Sequence, residues 1–186
     1  KMVFGRRRLW TIDVEVDSTC LQKWTVHREG EDPIHYFFCV LGTRQRGDLS
    51  KFWMRFVAYR DDLPLGISSS VGPKRRVLPE SKDFRLACAK EAFHEDSNLV
   101  QHSDSALAFT TAMPIGVVQS FSVNHQENEY ARSVQILKKV GSAETRAGMT
   151  GSMSIDRSWR SVKEKIPPGI SCKTQSGRFG MMRRVR

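Results

Sequence analysis

The chain has 186 residues, 39% hydrophobic and 27% charged, with a formal net charge of +10. That suits a soluble protein with one sizeable core and room for appendages. Its longest apolar runs are far shorter than a membrane span needs, and no secretory leader is expected, because Arg6, Arg7 and Arg8 run into the acidic, alternating "LWTIDVEVD".

Residues 1–8 read as a basic N-terminal arm, followed by a β-rich body over 9–150. "LWTIDVEV" (9–16) puts Trp10, Ile12, Val14 and Val16 on one face, with Thr11, Asp13 and Glu15 on the other. That alternation predicts a half-buried strand. "DSTC" can turn into a second strand, "LQKWTVH" (21–27). "IHYFFCVL" (34–41) predicts a strand covered on both faces, "GTRQRGDLS" (42–50) a loop, and "KFWMRFVAY" (51–59) another strand.

Residues 60–81, with three prolines and two glycines, predict a long irregular excursion. "KDFRLACAKEAF" (82–93) predicts a helix with Asp83 as its N-cap. Strands are expected at 105–113 and 115–123, separated at Pro114, while 129–140 is ambiguous between helix and strand. The small, polar stretch 141–154 reads as flexible, and the edge of the body is set there. Ile155, Trp159, Val162 and Ile166 then share one helical face, with Ser154 as cap and Pro167-Pro168-Gly169 as terminator. Arg157, Arg160 and Lys163 fall on the opposite, solvent face. The expected fold is mainly β, a sandwich or barrel-like body with a short middle helix and a C-terminal amphipathic helix. Residues 151–186 form that last helix and a basic tail.

Chemical motifs are sparse. His35 and Cys39, four apart on a strand, lie about 13 Å apart at ~3.3 Å per residue, too far to share a metal ion. Cys88, His94 and His102 match no structural zinc spacing. No G-x-S-x-G elbow, G-x-G-x-x-G loop or Walker pattern occurs, so neither a metal nor a cofactor is expected. His94, Glu95 and Asp96 cluster as acid–base residues would, but they read first as a solvated turn. The four cysteines, Cys20, Cys39, Cys88 and Cys172, are scattered, which suggests buried thiols in a reducing compartment. The tripeptide Arg46-Gly47-Asp48 reads as a turn. Trp53, Arg55 and Tyr59 share one face of their strand, which would serve as a stacking platform if left open.

Charge is the more informative feature. Residues 1–10 carry +4 and residues 157–186 carry +8, around a middle of −2. Basic segments neutralise phosphates and release counterions without needing a shaped surface. Arg6, Arg7, Arg8, Lys74, Arg75, Arg76, Arg157, Arg160, Lys163, Lys173, Arg178, Arg183, Arg184 and Arg186 are therefore the candidate nucleic-acid contacts. The expected partner is RNA or DNA, with an anionic membrane surface as the competitor and self-association into a larger assembly. A neutral β-rich body with arginine-rich ends is similar in general plan to viral coat proteins and to small ribosomal-type proteins. That analogy of architecture implies a non-enzymatic coat or matrix subunit, in a virion or inside the cell. A ribonucleoprotein subunit is second, and an enzyme using His94, Glu95 and Asp96 third.

Overall fold

The computed structural model describes residues 10, 13–48, 50–61, 81–104, 107–110, 112–138 and 142–166. Over these the chain is mainly β, with a middle helix and a C-terminal helix, as the sequence implies.

β1 (Asp13–Val26) is one strand of 14 residues where two were expected. Ser18 and Thr19 pair with Leu41 and Val40, so "DSTC" does not turn. Asp17 is polar for a different reason: its carboxyl group is buried against Trp159. The irregularity comes later, as a shift in register between Cys20 and Gln22. One extra residue, Leu21, bulges and bends the strand without ending it.

β2 (Ile34–Gln45) pairs antiparallel with β1, and β3 (Phe52–Arg60) antiparallel with β2. β2 continues through Gly42–Gln45, which the sequence reading gave to a loop. Gly42 sits in the strand because the Trp159 ring lies on it, and a Cβ there would overlap that ring. Arg46-Gly47-Asp48 does form a turn, with Gly47 at φ +77°.

α1 (Lys82–Ala92) buries Phe84, Arg85, Cys88, Ala89 and Ala92 along one stripe. Its cap is Ser81, whose hydroxyl accepts from the Phe84 amide at 3.3 Å. Asp83 lies in the first turn instead, where its charge favours the helix dipole.

β4 (Leu99–Asp104) replaces the strand expected at 105–113, and Leu107–Thr110 is a single helical turn, α2. Pattern reading misses β4 because Gln101, His102 and Ser103 are all buried within it. Gln101 bonds to Arg85 and Ser120, and His102 Nδ1 to Thr150, so much of this polar strand is paired inside. His102 Nε2 and the Ser103 hydroxyl have no close hydrogen-bond partner among the described residues. β5 (Val117–Val123) falls where expected. The ambiguous stretch resolves as β6 (Arg132–Leu137), and β7 (Thr145–Thr150) pairs with it inside the segment read as flexible.

The main sheet has the order β3-β2-β1-β4-β5, with β4 parallel to both neighbours. Parallel neighbours require crossovers, and the β3-to-β4 crossover lays α1 on one face. Phe84 and Cys88 pack there with Val14, Val16, Leu41, Trp53 and Val57. α3 (Met153–Glu164) covers the opposite face, where Ile155, Trp159 and Val162 meet Val40, Phe52, Met54 and Phe56. Ile166 joins the same cluster, so the predicted stripe is the buried one.

Candidate nucleic-acid interface

Three carboxyl groups on one face of β1 position everything around this surface. Asp13, Glu15 and Asp17 alternate along the strand and point toward α3 and β7. The sequence reading put Asp13 and Glu15 on an open polar face; the structure covers that face. Asp13 receives Arg146 of β7 at 2.5 Å and faces His102 at 3.5 Å. Burial pushes the Asp13 carboxyl up, but hydrogen bonds and charge from His102 and Arg146 outweigh it and hold the group below its usual range. Burial also lowers the His102 pKa, with Asp13 opposing.

Glu15 does the work of a helix cap. It accepts from the Ser154 hydroxyl at 2.6 Å and the Ile155 amide at 2.8 Å, while Arg46 Nε pairs with it at 2.8 Å. Ser152, at the N-cap position, makes no side-chain capping bond, and neither does the expected Ser154. A carboxylate at the first turn also complements the helix dipole. Arg46 further donates to the Met149 and Gly151 carbonyls, so the arginine of the tripeptide turn is engaged with the body. Arg44 ties in the next turn through the Ser154 carbonyl (2.6 Å) and the Ser158 hydroxyl. Asp17 accepts from the Trp159 indole at 2.6 Å. Its burial, with Asp156 nearby, raises its pKa to about 8.

Anchored this way, α3 turns Arg157, Arg160 and Lys163 to solvent, as predicted. Arg160 pairs with Glu164 at 3.1 Å across an exposed turn. Arg160 and Lys163 also edge a cleft of about 470 Å³ whose floor includes Asp17 and Trp159.

Beyond the end of α3 the strands carry two rows that sequence reasoning did not find. Register aligns Trp24, Tyr36 and Arg60 across β1, β2 and β3. Trp24 and Tyr36 stack with centroids 5.0 Å apart, and the Arg60 guanidinium lies 5.5 Å from the Tyr36 ring. Trp24 also packs against Phe38, as Ile166 does, which puts this row on the α3 face. One position along, Lys23, Phe37 and Tyr59 align on the other face. Phe37 stacks on Tyr59 at 4.8 Å, with the Lys23 ammonium 5.1 Å from the Phe37 ring. The five residues other than Lys23 are half-buried, and Lys23 is exposed. Cations beside partly open aromatic rings can hold phosphate and stack bases together. Only cross-strand register reveals these rows, since their members are 12 to 36 positions apart.

The platform suggested for β3 is closed. Trp53 packs into the core under α1, and Arg55 pairs with Glu91 at 2.5 Å while lying over Phe84. Tyr59 alone of that trio belongs to the aromatic rows. Arg6, Arg7, Arg8, Lys74, Arg75, Arg76, Lys173, Arg178, Arg183, Arg184 and Arg186 lie outside the described residues. His94, Glu95 and Asp96 are exposed on a short 3-10 turn. The ring of His94 accepts from the Asp96 amide at 3.4 Å, so it caps that turn. Of the cysteines among the described residues, Cys39 and Cys88 are buried as expected, whereas Cys20 is exposed; Cys172 lies outside the described residues. Among the described residues no cluster of three or more His, Cys, Asp and Glu residues could hold a metal ion, and no helix is long and apolar enough to cross a membrane. Comparison with protein-family models, with curated proteins and with solved structures returns no match.

Proposed function

We propose that this is a non-enzymatic, nucleic-acid-associated structural protein, a subunit of coat or matrix type that binds RNA or DNA mainly through charge. The carrying observation is the separation of charge, +4 in residues 1–10 and +8 in residues 157–186 around a middle of −2. Such segments bind by counterion release, with little dependence on sequence. The aromatic rows support the same reading. Trp24 of the Trp24–Tyr36–Arg60 row and Ile166, after which the basic residues 167–186 follow in sequence, both pack against Phe38. Phosphates held by those cations would bring bases within reach of Trp24 and Tyr36. A β-rich body with helices against both faces of its sheet is a rigid carrier suited to repeated packing in an assembly.

The test is purification without nuclease, followed by an absorbance ratio and sizing across a salt series. The proposal expects co-purifying nucleic acid and large oligomers that shrink as salt rises. A monomer that binds one structured RNA would favour a ribonucleoprotein subunit. Binding to acidic vesicles with none to nucleic acid would overturn the proposal.

A further inference from the structure

Cys20 of β1 and Cys39 of β2 are direct partners across the antiparallel ladder, at the edge of the Leu21 bulge. Facing Cβ atoms in such a pair stand about 4.5–5.5 Å apart. A disulfide needs a Cβ separation of about 3.5–4.5 Å with Cα atoms about 4.4–6.8 Å apart. Closing the pair therefore takes a movement of roughly 1 Å, and the bulge beside Cys20 supplies local freedom. We propose that Cys20 and Cys39 are a redox-active dithiol, with Cys20 the attacking thiol and Cys39 the resolving one, which closes to a cross-strand disulfide on meeting a disulfide oxidant.

The two thiols divide the roles by their surroundings. Cys20 is exposed and Cys39 is 3% exposed. The Cys39 thiol hydrogen-bonds to Cys20 and holds the Cys20 thiol down at about 6, with further help from the Lys163 charge. Cys20 is thus the readier of the two to ionise to the thiolate, the form that attacks. Cys88 provides the contrast: burial pushes its thiol up to about 12.

With oxidised glutathione as the oxidant, the chemistry balances in two exchanges. The Cys20 thiolate attacks one glutathione sulfur, a Cys20–glutathione bond forms, and the old S–S bond breaks. The departing glutathione thiolate takes up the proton that Cys20 gave to solvent. Cys39 then loses its proton and attacks the Cys20 sulfur, releasing the second glutathione, which is protonated in turn. Two protein thiols lose two electrons and one glutathione disulfide becomes two thiols. The closed form pins β1 to β2 beside the bulge, at the Cys20–Cys39 rung of the ladder. This inference does not depend on the nucleic-acid reading.

The full chain carrying Cys172→Ser is equilibrated in buffers of reduced and oxidised glutathione, quenched in acid, alkylated and analysed by peptide mass spectrometry. The expected product is a Cys20–Cys39 linked peptide pair lacking two hydrogens, formed within one chain and reversed by dithiothreitol. Cys39→Ser in the same background should stop at a stable glutathione adduct on Cys20. Cys20→Ser should leave Cys39 unmodified while circular dichroism reports an intact fold. A wild-type pair that stays reduced across the series, or stops at the glutathione adduct, or links between chains would overturn the proposal.

Discussion

The Trp159 indole donates to Asp17 across 2.6 Å, joining α3 to the middle of β1 in the buried layer between them. The ring of Trp159 also covers Gly42 and meets Phe52 edge-on with centroids 5.6 Å apart. One side chain therefore links the cation-bearing helix to all of β1, β2 and β3.

Replacing Trp159 by Ala removes a large ring that is 4% exposed. The expected loss is about 3–5 kcal/mol, as for other buried aromatic truncations. Urea denaturation of the variant and the parent measures it. A change under about 1 kcal/mol would mean that α3 is not fastened by this ring.

Asp17 makes stability depend on pH in a definite direction. Its folded pKa is raised by burial to about 8, well above the unfolded value of 3.8. Between those values the folded chain binds more protons than the unfolded one, so this group's contribution falls as pH rises through the window. His102 works oppositely: its lowered pKa makes stability rise with pH up to the ordinary histidine range. The difference between wild type and Asp17→Asn isolates the aspartate. Asp17→Asn should gain stability relative to wild type as pH rises from about 4 to about 8, read as melting temperature against pH. Parallel profiles would contradict the assignment.

Glu15 holds the start of α3 and pairs with Arg46 while only 3% exposed itself. Glu15→Ala leaves Arg46 Nε, the Ser154 hydroxyl and the Ile155 amide without their acceptor, while the Met149 and Gly151 carbonyls still hold Arg46. A cost of about 1–3 kcal/mol is expected. Glu15→Gln keeps an acceptor for the helix and should lose less. Chemical denaturation of both variants decides this, and equal losses would mean that the charge alone matters.

The outer face of α3 and the aromatic rows predict different losses. Changing Arg157, Arg160 and Lys163 together to Gln should leave stability nearly unaltered, since exposed ion pairs contribute about 0–1 kcal/mol. Each lost phosphate contact should lower the magnitude of the log–log salt slope by about 0.7–0.9. Trp24→Ala should weaken single-strand binding with little change in that slope, at about 1–3 kcal/mol per stacked base. Titrations of a fluorescent oligonucleotide at several salt concentrations separate the two. An unchanged affinity in both variants would remove this surface from the interface.

The α3 stripe was legible in the sequence because a 3.6-residue repeat of Ile155, Trp159, Val162 and Ile166 needs no knowledge of the partner surface. Asp13, Glu15 and Asp17 were not. Alternation fixes which residues share a face, but a face of carboxyl groups looks solvated until Arg146, Arg46 and Trp159 arrive from distant parts of the chain. β4 was missed for the same reason, the partners of its buried Gln101 and of His102 Nδ1 coming from α1, β5 and β7. Gly42 read as a loop signal, whereas it is a seat for a ring more than a hundred residues away. The cationic clusters were visible as composition, but the Trp24–Tyr36–Arg60 row required the register of three strands.

Charge in residues 1–10 and 157–186, rather than a shaped pocket, is what should hold nucleic acid. The direct measurement is affinity for single-stranded RNA across a salt series, comparing the full chain with a form lacking residues 1–8 and 173–186. The expected result is loss of most binding at low salt and a much shallower salt slope, with thermal stability retained. Equal affinity and equal slope in the two proteins would contradict it.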